Sequence, residues 1–224
     1  MFGKKIWTVL VTTAIVSMAW LALVFNAIWQ SVNVHSTEAE MQPHVIVEDR
    51  VAEEVDYMHK VDYTMPMHLQ IDPQWSDTSY STGTIKSHGC GLCCLSMMVS
   101  CLTGEEVYPT DLVMHQDVFL QADVNNPDAM CKWASEAYGL EWSGEQWGFN
   151  ENIDKMLDAG YVVMCSMEGK LGDSDYGGHV VLVYGSVNDG YLIRDPDNAE
   201  NSVHVFTKEE LSDVTWGSLN GLRV

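Results

Sequence analysis

The order of helix-like and strand-like segments in the second half of this 224-residue chain limits its fold class more than any other feature of the sequence. An apolar, helix-like run covers 90–102 and ends before Gly104, a residue suited to a helix C-cap. Strand-like runs rich in apolar and β-branched residues follow at 161–167, 179–185 and 191–194. A short polar loop separates the last two runs, which is typical of a β-hairpin. This order predicts an α+β domain with an antiparallel sheet, in which an N-terminal helix packs on the sheet.

Proline and glycine residues mark the limits of further elements. Short helices are expected at 109–113, 128–138 and 153–159, the last two closed by glycines. A last strand is expected at 203–206, before a helix that begins near Thr207. All of the predicted strands therefore lie after residue 160.

Cys90 begins the first of these helices. Ser87, His88 and Gly89 precede it and supply the polar and flexible residues that suit a helix start. The thiolate is the nucleophilic form of cysteine, and the N–H groups and dipole of a helix N-terminus favour it. Cys90 is therefore the predicted nucleophile.

The predicted hairpin places a histidine and a carboxylate close together. If its loop is centred near Asn188, His179 lies opposite residue 197, and Asp195 lies two positions along on the same face. A carboxylate on one imidazole nitrogen fixes the tautomer and leaves the other nitrogen to take a proton from a thiol such as Cys90. A lone histidine on a strand is more often structural, and the spacing alone leaves that alternative open.

Short motifs spread over 67–215 occur in a characteristic order: Asp72-Pro73-Gln74-Trp75, Gly83-Thr84-Ile85, Gly89-Cys90-Gly91, Leu102-Thr103-Gly104, Tyr138-Gly139-Leu140, Ala159-Gly160-Tyr161-Val162-Val163, Gly178-His179 and Asp195-Pro196. In this order the chain resembles peptidase C39-like domains, which are relatives of papain-like cysteine peptidases. The resemblance implies a papain-like fold and a peptide or protein substrate, with no cofactor. It also implies that Cys90 is the nucleophile, His179 the general base and Asp195 the residue that orients the base.

The donor that would stabilise a substrate oxyanion is less evident. Papain-like enzymes have a glutamine a few residues before the cysteine, where this chain has Thr84 and Lys86. Gln70 and Gln74 are the candidates, provided that the loop at 79–83 folds them back. Four glycines are candidates for the substrate cleft, and those beside the histidine leave room for a substrate backbone: Gly89, Gly91, Gly177 and Gly178.

Three alternatives remain open at this point. A catalytically silent, tethered binding module of the same fold would need no reactive thiol. A thiol-disulfide oxidoreductase could use Cys90 and Cys93, because Cys-x-x-Cys at a helix start is the thioredoxin arrangement, although the βαβ context is missing. A zinc site made of His88, Cys90, Cys93 and Cys94 lacks a second spaced pair, and we expect no metal. The reactivity of Cys90 at neutral pH decides between peptidase and binding module.

The first 30 residues differ from the rest of the chain. Lys4 and Lys5 precede an uncharged run at 6–25, which is long enough to span a bilayer as a helix. A cleaved signal would have a shorter apolar core and a small residue where Phe25 stands. Residues 1–30 are therefore predicted to be a cytoplasmic stub and transmembrane signal-anchor. The positive-inside rule then puts the remainder of this single-pass protein outside the cell membrane of a bacterium. Secretion after signal cleavage is the alternative.

The part of the chain after residue 30 is strongly acidic. It contains all 32 Asp and Glu and nine of the eleven Lys and Arg, a formal net charge of −23. Such a charge repels nucleic acid, so no nucleic-acid partner is expected. At 31–66 acidic residues are scattered among few large apolar ones, which predicts a linker or stalk, with the peptidase-like domain at 67–224.

Six cysteines in an exported chain raise the question of disulfides. Cys93, Cys94 and Cys101 share one short segment with Cys90 and are expected to be small buried side chains. Cys131 and Cys165 are the only pair for which a disulfide is plausible.

Overall fold

The structure, a computed structural model, describes residues 64–224. Its centre is a six-stranded antiparallel sheet in the order β5-β10-β6-β7-β8-β9. The strands of this sheet are β5 (Glu141–Trp147), β6 (Val162–Leu171), β7 (Ser174–Val187), β8 (Gly190–Arg194), β9 (Val205–Thr207) and β10 (Val214–Arg223). The antiparallel sheet and the α+β class are as the sequence predicts.

Alternate residues of the central strands fill two cores, one on each face of the sheet. On β6, Val162 and Met164 belong to the first core, whereas Val163 and Cys165 belong to the second. Successive side chains of a strand point to opposite faces, so a strand covered on both sides has a continuous apolar sequence. This accounts for the uninterrupted apolar run that marks β6 in the sequence.

The helices lie on both faces. Their bounds are α1 (Ile85–His88), α2 (Cys90–Thr103), α3 (Pro109–Leu112), α4 (Gln116–Phe119), α5 (Pro127–Tyr138) and α6 (Asn150–Asp158), with 3₁₀ turns at Val113–His115 and Asn201–Val203. Helix α2 packs in the first core through fully buried residues such as Leu92 and Leu95, and α6 packs in the second through Ile153. Gly104 ends α2 in the left-handed conformation, as the sequence predicts.

Two small antiparallel hairpins lie outside the central sheet. β1 (Ser79–Tyr80) pairs with β2 (Gly83–Thr84) directly before α1. β3 (Leu120–Gln121) pairs with β4 (Val124–Asn125) directly before α5. The second hairpin contacts the first, because Ser81 donates hydrogen bonds to Gln116 and to the Asp123 carbonyl.

The sequence prediction is wrong after β9. No helix begins near Thr207: turns lead directly into β10, a strand that the sequence did not indicate. The capping hydrogen bonds of a helix start do form, since Glu210 N–H donates to Thr207 Oγ1 over 3.2 Å. The chain enters β10 at Val214, so this start is not extended into a helix.

Both N-terminal predictions fall mainly outside the described residues. The predicted signal-anchor at 1–30 lies entirely outside the described residues, and so does most of the predicted stalk at 31–66. Within residues 64–224, no helix combines the length and apolar character needed to cross a membrane. Met65 is buried in the first core, and its carbonyl accepts a hydrogen bond from Arg194 over 3.0 Å.

Candidate active site

Cys90 is the first residue of α2 and is half-buried. The backbone turns closely from α1 into α2 at Gly89, whose N–H donates to the Ile85 carbonyl over 2.8 Å. A Cβ at position 89 would lie 2.5 Å from that carbonyl oxygen, so this close approach requires glycine. One turn further along, the Cys94 thiol donates to the Val180 carbonyl over 3.3 Å and ties α2 to β7. The thiol of Cys90 therefore sits at a helix start beside the strand that carries His179.

His179 and Asp195 are in direct contact. His179 Nε2 and Asp195 Oδ1 are 2.8 Å apart, and both side chains are buried. The two residues meet because Leu182 pairs with Arg194, a register that carries His179 to the position opposite residue 197. The side chain of Cys90 also interacts with the imidazole, since it contributes to raising the pKa of His179. Since Nε2 contacts Asp195, Nδ1 is the nitrogen left to exchange a proton with a thiol.

The electrostatics of the pair favour a protonated imidazole. Burial lowers the pKa of His179, but its hydrogen bonds with Asp195 and Cys90 outweigh burial and raise it from 6.5 to about 9. Burial in turn raises the pKa of Asp195, but the hydrogen bonds from His179 and Asn201 outweigh it and lower the pKa.

Every acceptor position of the Asp195 carboxylate is used. Besides His179, Oδ1 accepts the Asp197 N–H over 2.9 Å. Oδ2 accepts the Tyr176 hydroxyl over 2.9 Å and the Asn201 amide over 2.8 Å. These four hydrogen bonds fix the orientation of the carboxylate beside the ring of His179. Sequence reasoning missed Tyr176 and Asn201, because neither stands in a motif.

Asn125 also reaches the candidate nucleophile. Its Nδ2 donates to Cys90 Sγ over 3.4 Å and to the His88 carbonyl over 2.8 Å. Its Oδ1 accepts the Tyr80 hydroxyl over 2.8 Å. No local sequence signal indicates this contact, since Asn125 stands in a polar segment 35 residues from Cys90.

Of the two glutamines proposed as oxyanion donors, only Gln70 contacts the segment that leads to Cys90. Its Nε2 donates to the carbonyls of Ile85 and Lys86, both at 3.2 Å, in the segment that leads into α2. Its Oε1 is buried with no partner among the described residues. Gln74 is exposed on a turn. The structure thus brings Gln70 to the neighbourhood of the site with its amide hydrogens already engaged.

The four cleft glycines separate into two pairs. Gly177 and Gly178 are exposed next to His179, and a Cβ at either position would meet no atom within 4 Å. Gly89 and Gly91 are buried beside Cys90. There is therefore room for a substrate backbone beside His179. The two glycines beside Cys90 are instead packed against other residues.

Four of the other cysteines are buried, but Cys101 is half-buried like Cys90, so the prediction that it is a buried side chain is wrong. All six are free, so Cys131 and Cys165, the predicted disulfide candidates, are separate thiols in this structure. Burial raises the pKa of Cys93 and Cys94 well above the ordinary value and that of Cys101 to about 12. A fully buried Cys93 is poorly placed to act as the second thiol of a redox pair.

The zinc alternative finds no support in the geometry. Within residues 64–224, no three His, Cys, Asp or Glu side chains are grouped as metal ligands. The ring of His88 contacts Ser87 and Thr82 instead, at 2.8 and 3.4 Å.

Comparisons with known proteins give structural neighbours. No family model matches the chain, and no curated protein matches it. The chain is similar to the peptidase domain of ComA from Streptococcus, a bifunctional ABC transporter of a quorum-sensing pathway, with 21% identity and a TM-score of 0.46 over 71% of this chain and 98% of the other. It is also similar to a protein described as a C39-like peptidase from Bacillus anthracis, with 15% identity and a TM-score of 0.43 over 77% of this chain and 99% of the other.

Proposed function

We propose that this chain is a C39-like cysteine peptidase that cleaves peptide bonds through Cys90, His179 and Asp195. The observation that carries the proposal is a buried imidazole in contact with a fully hydrogen-bonded carboxylate, on a strand that is tied to the helix beginning at Cys90. A thiol nucleophile, an imidazole base and a carboxylate that orients the base are the groups that this chemistry needs, which supports the proposal. The ordered motifs of the sequence, which resemble those of papain-like enzymes, support the same proposal.

In the proposed reaction His179 already holds the proton given up by the Cys90 thiol, so the resting pair is an imidazolium and a thiolate. The thiolate attacks the carbonyl carbon of the substrate, a C–S bond forms, and the π electrons of the carbonyl move to oxygen. When the carbonyl is restored, the C–N bond breaks and the leaving amine takes the proton from His179. Water then attacks the thioester and gives a proton to His179, and cleavage of the C–S bond releases the acid and restores the thiolate beside the imidazolium. Asp195 keeps its charge throughout and stabilises the imidazolium.

Active-site labelling tests this function. An electrophilic peptide-like probe should modify the full-length protein at Cys90, as mapped by peptide mass spectrometry. Cys90→Ala should abolish labelling, whereas the matched variant Cys101→Ala, which removes a thiol from the same helix, should label like the parent. Labelling at another cysteine, or equal labelling of His179→Ala and the parent, would contradict the proposal.

A tethered binding module without catalysis is the second candidate. The observation that favours it is the engagement of both Gln70 amide hydrogens by backbone carbonyls, since loss of one oxyanion donor typically lowers rates about 10²- to 10³-fold. A protein that reacts once with the probe but releases no product from any peptide or ester would fit this candidate. Repeated turnover would exclude it.

We further propose that the domain is held outside the cell membrane by the segment at 6–25. The uncharged run and the preceding Lys4 and Lys5 support this topology. In cells that express the protein, the full-length chain should be found in the membrane fraction and should be open to external protease. A soluble product that begins near residue 30 would show a cleaved signal instead.

A further inference from the structure

We propose that Asn125 is a further catalytic residue, which binds the Cys90 sulfur and stabilises its anionic form. This inference rests on the proposed function, because it assigns a role in the same thiol chemistry. It adds a fourth side chain, from the β3–β4 hairpin, to the three that the sequence indicates.

The orientation of the Asn125 amide is fixed by its partners. The His88 carbonyl can only accept a hydrogen bond, so the group 2.8 Å from it is the NH₂. The Tyr80 hydroxyl donates to the opposite oxygen, Oδ1, over 2.8 Å. The remaining N–H of Asn125 then points at Cys90 Sγ over 3.4 Å. A donor in this position interacts more strongly with a thiolate than with a thiol, because the acceptor carries a full charge.

Gly91 permits this close approach. A Cβ at position 91 would lie 2.9 Å from Cβ and Cγ of Asn125, closer than such atoms pack in proteins. The glycine after the candidate nucleophile therefore has a specific structural role: it leaves the space that Asn125 occupies.

The Gln70 amide, which the sequence offered as the polar donor at the site, is occupied by two carbonyls. Asn125 is the side-chain amide that contacts the sulfur itself. A purely structural role is the competing explanation, in which Asn125 only fastens the β3–β4 hairpin to the His88 carbonyl. If Asn125 stabilises the thiolate, replacing it changes how the reactivity of Cys90 depends on pH. If Asn125 is only structural, that dependence stays the same in a folded variant.

The titratable groups around Cys90 are few. His179 is the cationic partner, and its ring faces the thiol from β7. Tyr80 faces it from β1, and Cys93 and Cys94 follow it on α2; burial raises the pKa of all three above the ordinary value. Their raised pKa values keep these three groups from contributing to a change in the alkylation profile at neutral pH.

The test is the rate of Cys90 alkylation by iodoacetamide from pH 5 to 9 in the full-length protein, followed by peptide mapping. Asn125→Asp replaces the donor with an isosteric acceptor, and we expect alkylation at pH 6 to be about 10- to 100-fold slower than in the parent, with rates converging near pH 9. Asn126→Asp is the matched control: it adds the same charge one residue away, keeps an N-cap oxygen for α5, and should stay within about twofold of the parent.

Gly91→Ala provides a second, independent variant. It leaves the Asn125 side chain chemically intact but displaces it from the sulfur, so it should slow alkylation at pH 6 in the same direction. Circular dichroism melts of each variant show whether it is folded. Parent-like profiles for folded Asn125→Asp and Gly91→Ala would overturn the inference, and so would an equal slowing by Asn126→Asp.

The proposed function fails in a different way. If Cys90 of the parent reacts below pH 7 no faster than an ordinary cysteine, the peptidase proposal and the role of Asn125 are both overturned. If the parent is reactive and His179→Ala is not, while the Asn125 variants match the parent, only the role of Asn125 is overturned.

Discussion

The phenol ring of Tyr176 lies parallel to the imidazole ring of His179, with ring centroids 4.1 Å apart and an angle of 11° between the planes. The hydroxyl of the same tyrosine donates to Asp195 over 2.9 Å. One side chain thus contacts both the candidate base and the carboxylate that orients it. Because the face of an aromatic ring attracts cations, the stack favours the protonated form of His179.

Tyr176 should therefore affect the reactivity of Cys90 without contacting it. Tyr176→Phe keeps the stacked ring and removes one of four hydrogen bonds to Asp195, so alkylation of Cys90 at pH 7 should fall by less than about fivefold. Tyr176→Ala removes both interactions and should lower the rate by about tenfold or more. The matched control is Tyr161→Phe, which removes a hydroxyl bonded to Glu141 of edge strand β5 and should leave the rate unchanged. Equal rates for Tyr176→Ala and the parent would contradict this role.

The contact between His179 and Asp195 could be predicted because a short hairpin loop fixes its own register. The loop at Asn188 and Asp189 and the pair Leu182 and Arg194 determine which residues face each other. The start and end of α2 are similarly local, since they depend on the residues before Cys90 and on Gly104. Features of this kind follow from spacing and backbone preference, which are visible in the sequence.

The missed elements depend on contacts between distant parts of the chain. β5 is an edge strand with mostly exposed, polar residues, so it has no apolar pattern. β10 contains Gly217 and Gly221, which resemble turn residues, yet the strand lies between β5 and β6. Gly221 is required there because a Cβ would lie 2.8 Å from Met156 and 2.9 Å from Tyr161. Neither the position of β10 in the sheet nor the close packing at Gly221 is visible before the fold is known.

Asp195 is expected to be less essential than its two partners. Asp195→Asn keeps an oxygen that can accept from His179, so turnover should remain measurable, about 10- to 100-fold below the parent. His179→Ala and Cys90→Ala should show none, because nucleophile and base act as one unit. Asp195→Ala should fall between them. Asp195→Ala also removes an acceptor of the Asn201 amide and of the Tyr176 hydroxyl, so its circular dichroism spectrum and melt must show that it is folded.

If His179→Ala labels and turns over like the parent, the assignment of the base is wrong. His88 is then the histidine to examine, although its ring contacts Ser87 rather than the thiol.

Selective alkylation should separate Cys90 from the other thiols. Cys90 is half-buried beside His179, whereas Cys93 and Cys94 are fully buried. Iodoacetamide should therefore modify Cys90 first, at a rate that persists below pH 7, and leave Cys94 and Cys101 unmodified in the folded protein. Mass mapping after brief exposure gives the order. Equal modification of Cys93, or ready formation of a Cys90–Cys93 disulfide, would favour the oxidoreductase. The rate should not change with EDTA, and a change would revive the zinc alternative.

The raised pKa of His179 makes the stability of the fold depend on pH in a defined direction. The folded protein holds the His179 proton up to about pH 9, whereas an unfolded histidine loses it near 6.5. The stabilisation is thus fully present below pH 6.5 and is lost as the pH rises through about 9, a change on the order of 3 kcal/mol. Urea unfolding at pH 6 and 9 should show this loss in the parent and a smaller dependence in His179→Gln, which does not titrate. Cys90→Ala should lie between them, because Cys90 supplies part of the shift. The same pH dependence in the parent and in His179→Gln would show that His179 is not held as a protonated partner of Asp195 and Cys90.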